Sequence, residues 1–305
     1  MEFTGGTIVS GIGSRFATIE ALCKELEINP ADFQGCALNR EHHVKYRPEE
    51  KPDGSLRDIY APSEKLKEIQ RKIKDIILAT FDYPEYVYGL GGNTLRHHAE
   101  VHNTDGHLVK VDIRNFFPSI HHSKVYKMWV ELFGFNPQIA SFLTKLTTHR
   151  GCLQQGFPTS SHIAAIVSIP ITKELQAYSH ANQINFSQYV DDLNFSGETI
   201  IYKDMFKLVV SAVRRHGFSI KPRKTKVYNK KTAKLITGVS VTGGRMRAPR
   251  QVRKRAIDAL KAYSANPQDL QNQKRVHGYA GFLEHLNHKD GQKYHQKIKR
   301  ISSDQ

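Results

Sequence analysis

The stretch Ser187-Gln188-Tyr189-Val190-Asp191-Asp192-Leu193-Asn194-Phe195-Ser196 constrains this chain more than any other. Two adjacent carboxylates sit among apolar and aromatic neighbours, with Phe186, Tyr189 and Val190 before them and Leu193 and Phe195 after. Side chains alternate faces along a strand, so neighbouring aspartates share a face only if a tight turn intervenes. A strand–turn–strand hairpin is therefore expected, with the acidic pair at its tip beside a core-facing apolar pattern. Two anionic groups held this close repel, and a divalent cation is the simplest relief. A solvated Asp-Asp turn is the plain alternative.

A second acidic strand upstream weighs against that alternative. In the run from His107 to Pro118, Asp112 is the only carboxylate, and the run ends in Phe116, Phe117 and proline. A buried strand seldom carries a lone acid without a partner. If the two strands are neighbours, Asp112, Asp191 and Asp192 build one oxygen cage for two magnesium ions. Two metals about 3.5–4 Å apart stabilise the attacking and leaving oxygens of an in-line phosphoryl transfer. That is the chemistry of nucleotide polymerisation.

On these two boxes the sequence resembles the reverse transcriptases, and among them the bacterial retron-type enzymes, from about Lys51 to Phe282. Tyr189-Val190-Asp191-Asp192 matches the catalytic box of that family, and Val111-Asp112-Ile113 through Phe116-Phe117-Pro118 matches its first metal-binding box. The resemblance implies an α+β fold in a right-hand polymerase arrangement. A helical cap would occupy residues 1–50, the fingers 51–106 with part of 120–160, an antiparallel-sheet palm 107–243 and a small helical thumb 244–305. Asp112, Asp191 and Asp192 become the catalytic and metal-binding groups, with the backbone carbonyl of Ile113 as a further ligand and two Mg2+ ions as the cofactor.

Charge agrees with a polyanionic partner. Lys and Arg together number 45 against 29 Asp and Glu, a formal net charge of +16. Cys23, Cys36 and Cys152 have no metal-like spacing, and an odd count fits a reducing, cytoplasmic setting. No apolar run approaches about 18–20 residues, so neither a membrane span nor a signal-peptide core is expected.

Along the chain, Gly5, Gly6, Gly11 and Gly13 argue for an irregular start. Ile19, Leu22, Cys23 and Leu26 fall at helical spacing, with Asn29-Pro30 expected to stop that helix. Pro52-Asp53-Gly54 marks a hairpin turn ahead of a strand carrying Arg57. Leu66, Ile69, Ile73 and Ile76 then form one face of an amphipathic helix. This hairpin and helix resemble the fingers of the family, which nominates Arg57 as a triphosphate contact through the paired hydrogen bonds of a guanidinium.

His97, His98, His102 and His107 invite a zinc site, but no cysteine is nearby and structural sites usually combine Cys with His. The segment instead resembles a retron-type box of a small residue and a histidine three places on, Ala99 and His102, with His98 where asparagine is usual. By the same resemblance Phe117 packs under the sugar and excludes a 2′-hydroxyl, with strand alternation placing Phe116 on the opposite face. Gln155 and Gly156 match a Gln-Gly-x-Pro box that contacts nucleotide and template, although Gln154, Phe157, Ser161 and Ala165 depart from the common pattern. Met205, Leu208, Val209 and Ala212 suggest a helix ending at His216-Gly217, after which Lys224 is the candidate cation for the leaving group. Leu235 to Val239 resembles a Val-Thr-Gly signature with isoleucine in place of valine.

Beyond Gly244, basic residues alternate with a stripe of Met246, Val252, Ile257 and Leu260, as in a helix facing phosphates. Arg250, Arg253, Lys254 and Tyr279 are its nucleic-acid-binding candidates, and His277 to Phe282 is expected to precede a further helix. The partners implied are a structured noncoding RNA serving as template and primer, its DNA product, dNTPs and a defence effector protein. Selection of that RNA is expected from Asn93 to His107, Ile236 to Gly238 and His277 to Phe282. A retron making msDNA in antiphage defence is the reading favoured. The alternatives are another bacterial defence or group II intron-like reverse transcriptase, and a noncatalytic RNA-binding scaffold.

Overall fold

The computed structural model describes residues 11–51, 54–92, 94–200 and 202–303. Gly5, Gly6, Pro52, Asp53 and Asn93 lie outside them. Helices α1 (Ile19–Glu25) and α2 (Pro30–Leu38) come first. Asn29-Pro30 starts a helix here instead of stopping one. The Asn29 side chain accepts from the Ala31 amide, and Pro30 takes the first helical turn, where a missing N–H is harmless.

Four short strands follow, β1 (Val44–Tyr46), β2 (Glu49–Glu50), β3 (Leu56–Arg57) and β4 (Tyr60–Pro62). β1 pairs with β4 and β2 with β3, both antiparallel, so β2–β3 is the expected hairpin. Helix α3 (Glu64–Lys72), capped by Ser63, buries Leu66 and Ile69 and runs on into a π-turn over Ile73–Ile77. The wider turn shifts the inward position by one residue. Ile77 is therefore fully buried where Ile76 was expected, and Ile76 is only half-buried.

The central layer is built from β5 (Val87–Tyr88), α4 (Leu95–Val101), β6 (His107–Asp112), α5 (His122–Lys127), α6 (Pro137–Thr147), α7 (Ser160–Ala181), β7 (Asn185–Tyr189), β8 (Asp192–Gly197), α8 (Tyr202–Arg215) and β9 (Lys226–Tyr228). Its sheet runs β5-β7-β8-β6-β9, antiparallel except for the β5–β7 pair. Val109, Val111, Leu193 and Phe195 of the middle strands enter a core shared with α1–α3 and α5–α8. Helix α8 ends at Arg215 ahead of Gly217, as the spacing predicts.

A second core lies C-terminal to this one. The meander β10 (Lys234–Ile236), β11 (Val239–Thr242) and β12 (Arg245–Arg247) packs with α9 (Arg250–Ala265), α10 (Leu270–Leu286) and α11 (His288–Ser303). Ala99 and Leu108 join it from the central layer. A Cβ on Gly291 would lie 2.3 Å from Glu284 Cα, so glycine lets α11 close onto α10.

Two expectations fail in this part. Ile257 is 50% exposed, because the inward face of α9 is Ala256, Ala259, Leu260 and Tyr263, and Ile257 sits one residue (about 100°) off it. His277 to Phe282 lies inside α10 instead of preceding a helix, and neither Gly278 nor Gly281 has an atom within 4 Å of its would-be Cβ. Packing of Val276, Ala280 and Leu283 carries the helix through both glycines.

Candidate active site

The hairpin at the tip of β7 and β8 is closed by Val190 and Asp191. Val190 has φ 54°, a costly conformation for a β-branched residue. Two bonds hold it there. Gln188 Nε2, buried and bonded to Ser168 of α7 at 2.9 Å, donates to the Val190 carbonyl at 2.9 Å. From the other side, the Ile113 amide donates to the Asp191 carbonyl at 3.0 Å. Antiparallel register then sets Asp112 of β6 directly opposite Asp192 of β8. The expected neighbouring strands, turn and three-carboxylate cluster are all present.

Two lysines relieve the cluster only in part. Burial first, then the Asp112 and Asp192 charges, push the Asp191 carboxyl up to about 6. Lys224 Nζ donates to Asp112 Oδ2 at 3.2 Å, while Asp112 Oδ1 is buried with no hydrogen-bond partner. Lys110 Nζ donates to Asp192 Oδ2 at 3.4 Å. Among the described residues no three His, Cys, Asp or Glu side chains are so placed that they grip an ion as they stand. The donor set nevertheless fits a hard divalent cation: three carboxylates under mutual repulsion, one with an orphaned buried oxygen.

Asp191 and Asp192 open onto a cleft of about 720 Å³, with Asp112 behind them, bonded to the cleft residue Lys224. Arg57, exposed at the end of β3, lines it, as do Ile113 and Lys224. Phe116 and Phe117 both line it; Phe117 is half-buried, whereas Phe116 is 3% exposed and packs on Phe218 at 5.9 Å. Both rings sit in turns beyond the end of β6, so turn geometry separates them and strand alternation does not apply. Gln155 and Gly156 line the same cleft. The Tyr60 amide donates to the Gln155 carbonyl at 3.2 Å, and a Cβ on Gly156 (φ 108°) would lie 2.9 Å from the Tyr60 carbonyl. The close approach that this glycine permits is therefore to β4.

The remaining candidates lie elsewhere. Arg250, Arg253 and Lys254 are exposed on α9, Tyr279 is half-buried against the second core, and none of the four lines the cleft. His98 and His102 are fully buried and share the Ser187 hydroxyl. Any reading of RNA by residues 93–107 thus falls to the exposed positions of that segment. Lys110 was not nominated from the sequence, although it shares a strand face with Asp112 by the two-residue period. Thr237, in the segment expected to take part in RNA selection, also lines the cleft.

Residues 49–253 match the family of reverse transcriptases (RNA-dependent DNA polymerases), and the chain belongs to that family. Within it the similarity is to retron enzymes. The chain is 31% identical over 196 residues to the Retron Se72 reverse transcriptase of Salmonella heidelberg (strain 579083-10), covering 62% of this chain and 52% of the relative. It is 26% identical over 195 residues to the Retron Ec86 reverse transcriptase of Escherichia coli, covering 63% and 60%. Against the Retron Ec83 reverse transcriptase of Escherichia coli the identity is 26% over 284 residues, 86% of this chain and 91% of the relative. The chain spans about half the length of the first of these relatives. A solved telomerase from Candida albicans, in complex with a TWJ fragment of telomeric RNA, superposes with a TM-score of 0.50 over 85% of this chain and 56% of that one. At 12% identity the likeness concerns the fold alone, which is the expected right-hand polymerase arrangement of helices and sheets.

Proposed function

We propose that the chain is an RNA-directed DNA polymerase of retron type, which copies a structured noncoding RNA into msDNA in antiphage defence. One observation carries the polymerase reading: Asp112 faces Asp192 across paired strands, with Asp191 on the adjoining turn, and Asp191 and Asp192 line one cleft. Two Mg2+ ions held by Asp112, Asp191, Asp192 and the Ile113 carbonyl would supply the charge that an in-line nucleotidyl transfer needs. Lys224 and Arg57 add positive charge on the triphosphate side. Phe117 excludes the 2′-hydroxyl, while Gln155 and Gly156 contact the incoming nucleotide and template. On this reading residues 1–50 form a cap, 51–106 with part of 120–160 act as fingers, 107–243 as palm and 244–305 as thumb, whose Arg250, Arg253, Lys254 and Tyr279 hold the primer–template duplex. Its partners are the RNA, its DNA product, dNTPs and a defence effector protein, in the cytoplasm. Among the described residues no helix is long and apolar enough to cross a membrane.

Primer extension on an RNA template with dNTPs and Mg2+ tests the polymerase. Wild-type chain extends the primer, and Asp192→Asn binds RNA but does not extend; equal extension by both would remove the reading. Sequencing of nucleic acid copurified from the native host tests the retron part. One dominant structured RNA with DNA joined to it is expected. A mixed RNA population without attached DNA leaves the polymerase and ends the retron assignment.

A further inference from the structure

Beneath the catalytic hairpin runs a line of four hydrogen bonds whose side chains have no part in the reaction described above. Thr237 Oγ1 meets His98 Nδ1 at 2.8 Å, and His98 Nε2 meets Ser187 Oγ at 2.7 Å. Ser187 Oγ also meets His102 Nε2 at 2.7 Å, and His102 Nδ1 meets Ser196 Oγ at 2.8 Å. Burial keeps both rings neutral, pushing His98 down to about 4 and His102 to about 3. A neutral imidazole has one donor and one acceptor nitrogen, and Ser187 has one proton to give. Ser187 can therefore donate to only one ring, so the tautomer of each histidine constrains the other.

His98 is the member of this line that touches both cores. Its ring stacks on Tyr189 of the catalytic hairpin at 5.3 Å and lies 4.9 Å from Tyr88. Ser187 and Tyr189 belong to the sheet that carries the carboxylates. Thr237 belongs to the turn joining β10 and β11 in the second core, and it lines the same cleft as Asp191. Thr237 has φ 42°, unfavourable for a β-branched residue, and its hydroxyl bond to His98 helps to hold it there.

We propose that His98 is a positioning residue, which fixes the Thr237-Gly238 turn relative to the Tyr189-to-Asp192 turn and so sets a nucleic-acid strand lying on the Thr237 side in line with the carboxylates. The proposal rests on the polymerase reading for its consequence, though not for its geometry. The residue types allow the two bonds to be separated. An Asn amide reaches the Nδ1 position and a Gln amide the Nε2 position, so His98→Asn keeps Thr237 and His98→Gln keeps Ser187. Neither spans both.

Single-nucleotide addition is measured on a fixed primer–template across dNTP concentrations. Both variants lower kcat by roughly 10- to 100-fold, because small misplacement of reacting groups is costly. The KM for dNTP moves less than about twofold, since Arg57 and Lys224 are untouched. Thr237→Val lowers kcat to the same degree, Thr237→Ser restores it, and His98→Gln combined with Thr237→Val is no worse than either alone. A fall in thermal stability with unchanged kcat, or additive losses in the double variant, overturns the proposal. Amide hydrogen exchange at residues 236–239 reads the coupling without turnover. Faster exchange in His98→Gln supports it, and unchanged protection overturns it. A wild-type chain that fails to polymerise, with exchange still faster in His98→Gln, removes the polymerase reading and leaves the coupling in place.

Discussion

In the sheet β5-β7-β8-β6-β9 the charged groups are few, partly buried and set by backbone register, while on α9 they are many and exposed. Asp112 is 8% exposed and opposite Asp192 because two strands pair that way. Arg250, Arg253 and Lys254 are exposed on a helix that packs through Ala256, Ala259 and Leu260. The first arrangement suits chemistry that needs atoms at fixed places. The second suits a polyanion, where each cation adds a separable increment of affinity. A substitution should therefore act steeply in the sheet and gradually on the helix.

The largest effect is expected where register holds the carboxylates. Asp191→Asn or Asp192→Asn should lower dNTP incorporation by more than about 10³-fold, as charge stabilisation worth several kcal/mol is lost. RNA affinity should stay near that of the parent. Incorporation and binding are measured on the same preparations, and parallel loss of both would blur the contrast between sheet and helix.

Phe117 comes next, at the cleft wall. Phe117→Ala should raise the ratio of rNTP to dNTP incorporation by roughly 10- to 100-fold, the range one steric contact supplies. If the ratio is unchanged while activity persists, the gate is not Phe117, which points to Phe116, on the same cleft, or to no gate at all.

How far such features can be read from sequence depends on whether their cause is local. The hairpin at Asp191 and its partner strand at Asp112 follow from short apolar runs interrupted by acids, and both are where the pattern puts them. The shift from Ile76 to Ile77 comes from a π-turn, which periodicity at 3.6 residues does not encode. The helix through Gly278 and Gly281 exists because tertiary packing overrides two poor helix formers. The Thr237–His98–Ser187 line joins residues 139 and 89 positions apart, a pairing that no local pattern announces.

That line also has a pH signature. The folded-state values of His98 and His102 lie below the ordinary 6.5, so the unfolded chain takes up protons first as pH falls. Their contribution to stability is complete above about pH 6.5 and is lost as pH falls toward 4 and then 3. Asp191, raised to about 6, works in the opposite direction, so the useful comparison is between parent and variant. His98→Gln should flatten the dependence of unfolding free energy on pH between about 4 and 6 by one proton, about 1.4 kcal/mol per pH unit. Chemical denaturation at stepped pH in a chelator checks this, and equal slopes would mean that His98 titrates normally in the folded chain.

The smallest effect belongs to the helix. Each phosphate contact removed flattens the plot of log affinity against log salt by roughly 0.7–0.9. Arg253→Ala with Lys254→Ala should accordingly weaken RNA binding at low salt, flatten the slope by up to two such increments and leave dNTP incorporation at saturating RNA within about twofold. These side chains stand on the exposed face of α9, away from the residues that line the cleft, so no fixed geometry is disturbed when they go. Affinity and slope that both stay at parental values would mean this face of α9 does not meet nucleic acid. A loss of incorporation as steep as that of Asp192→Asn would mean instead that the second core positions the reacting strand as strictly as the sheet does.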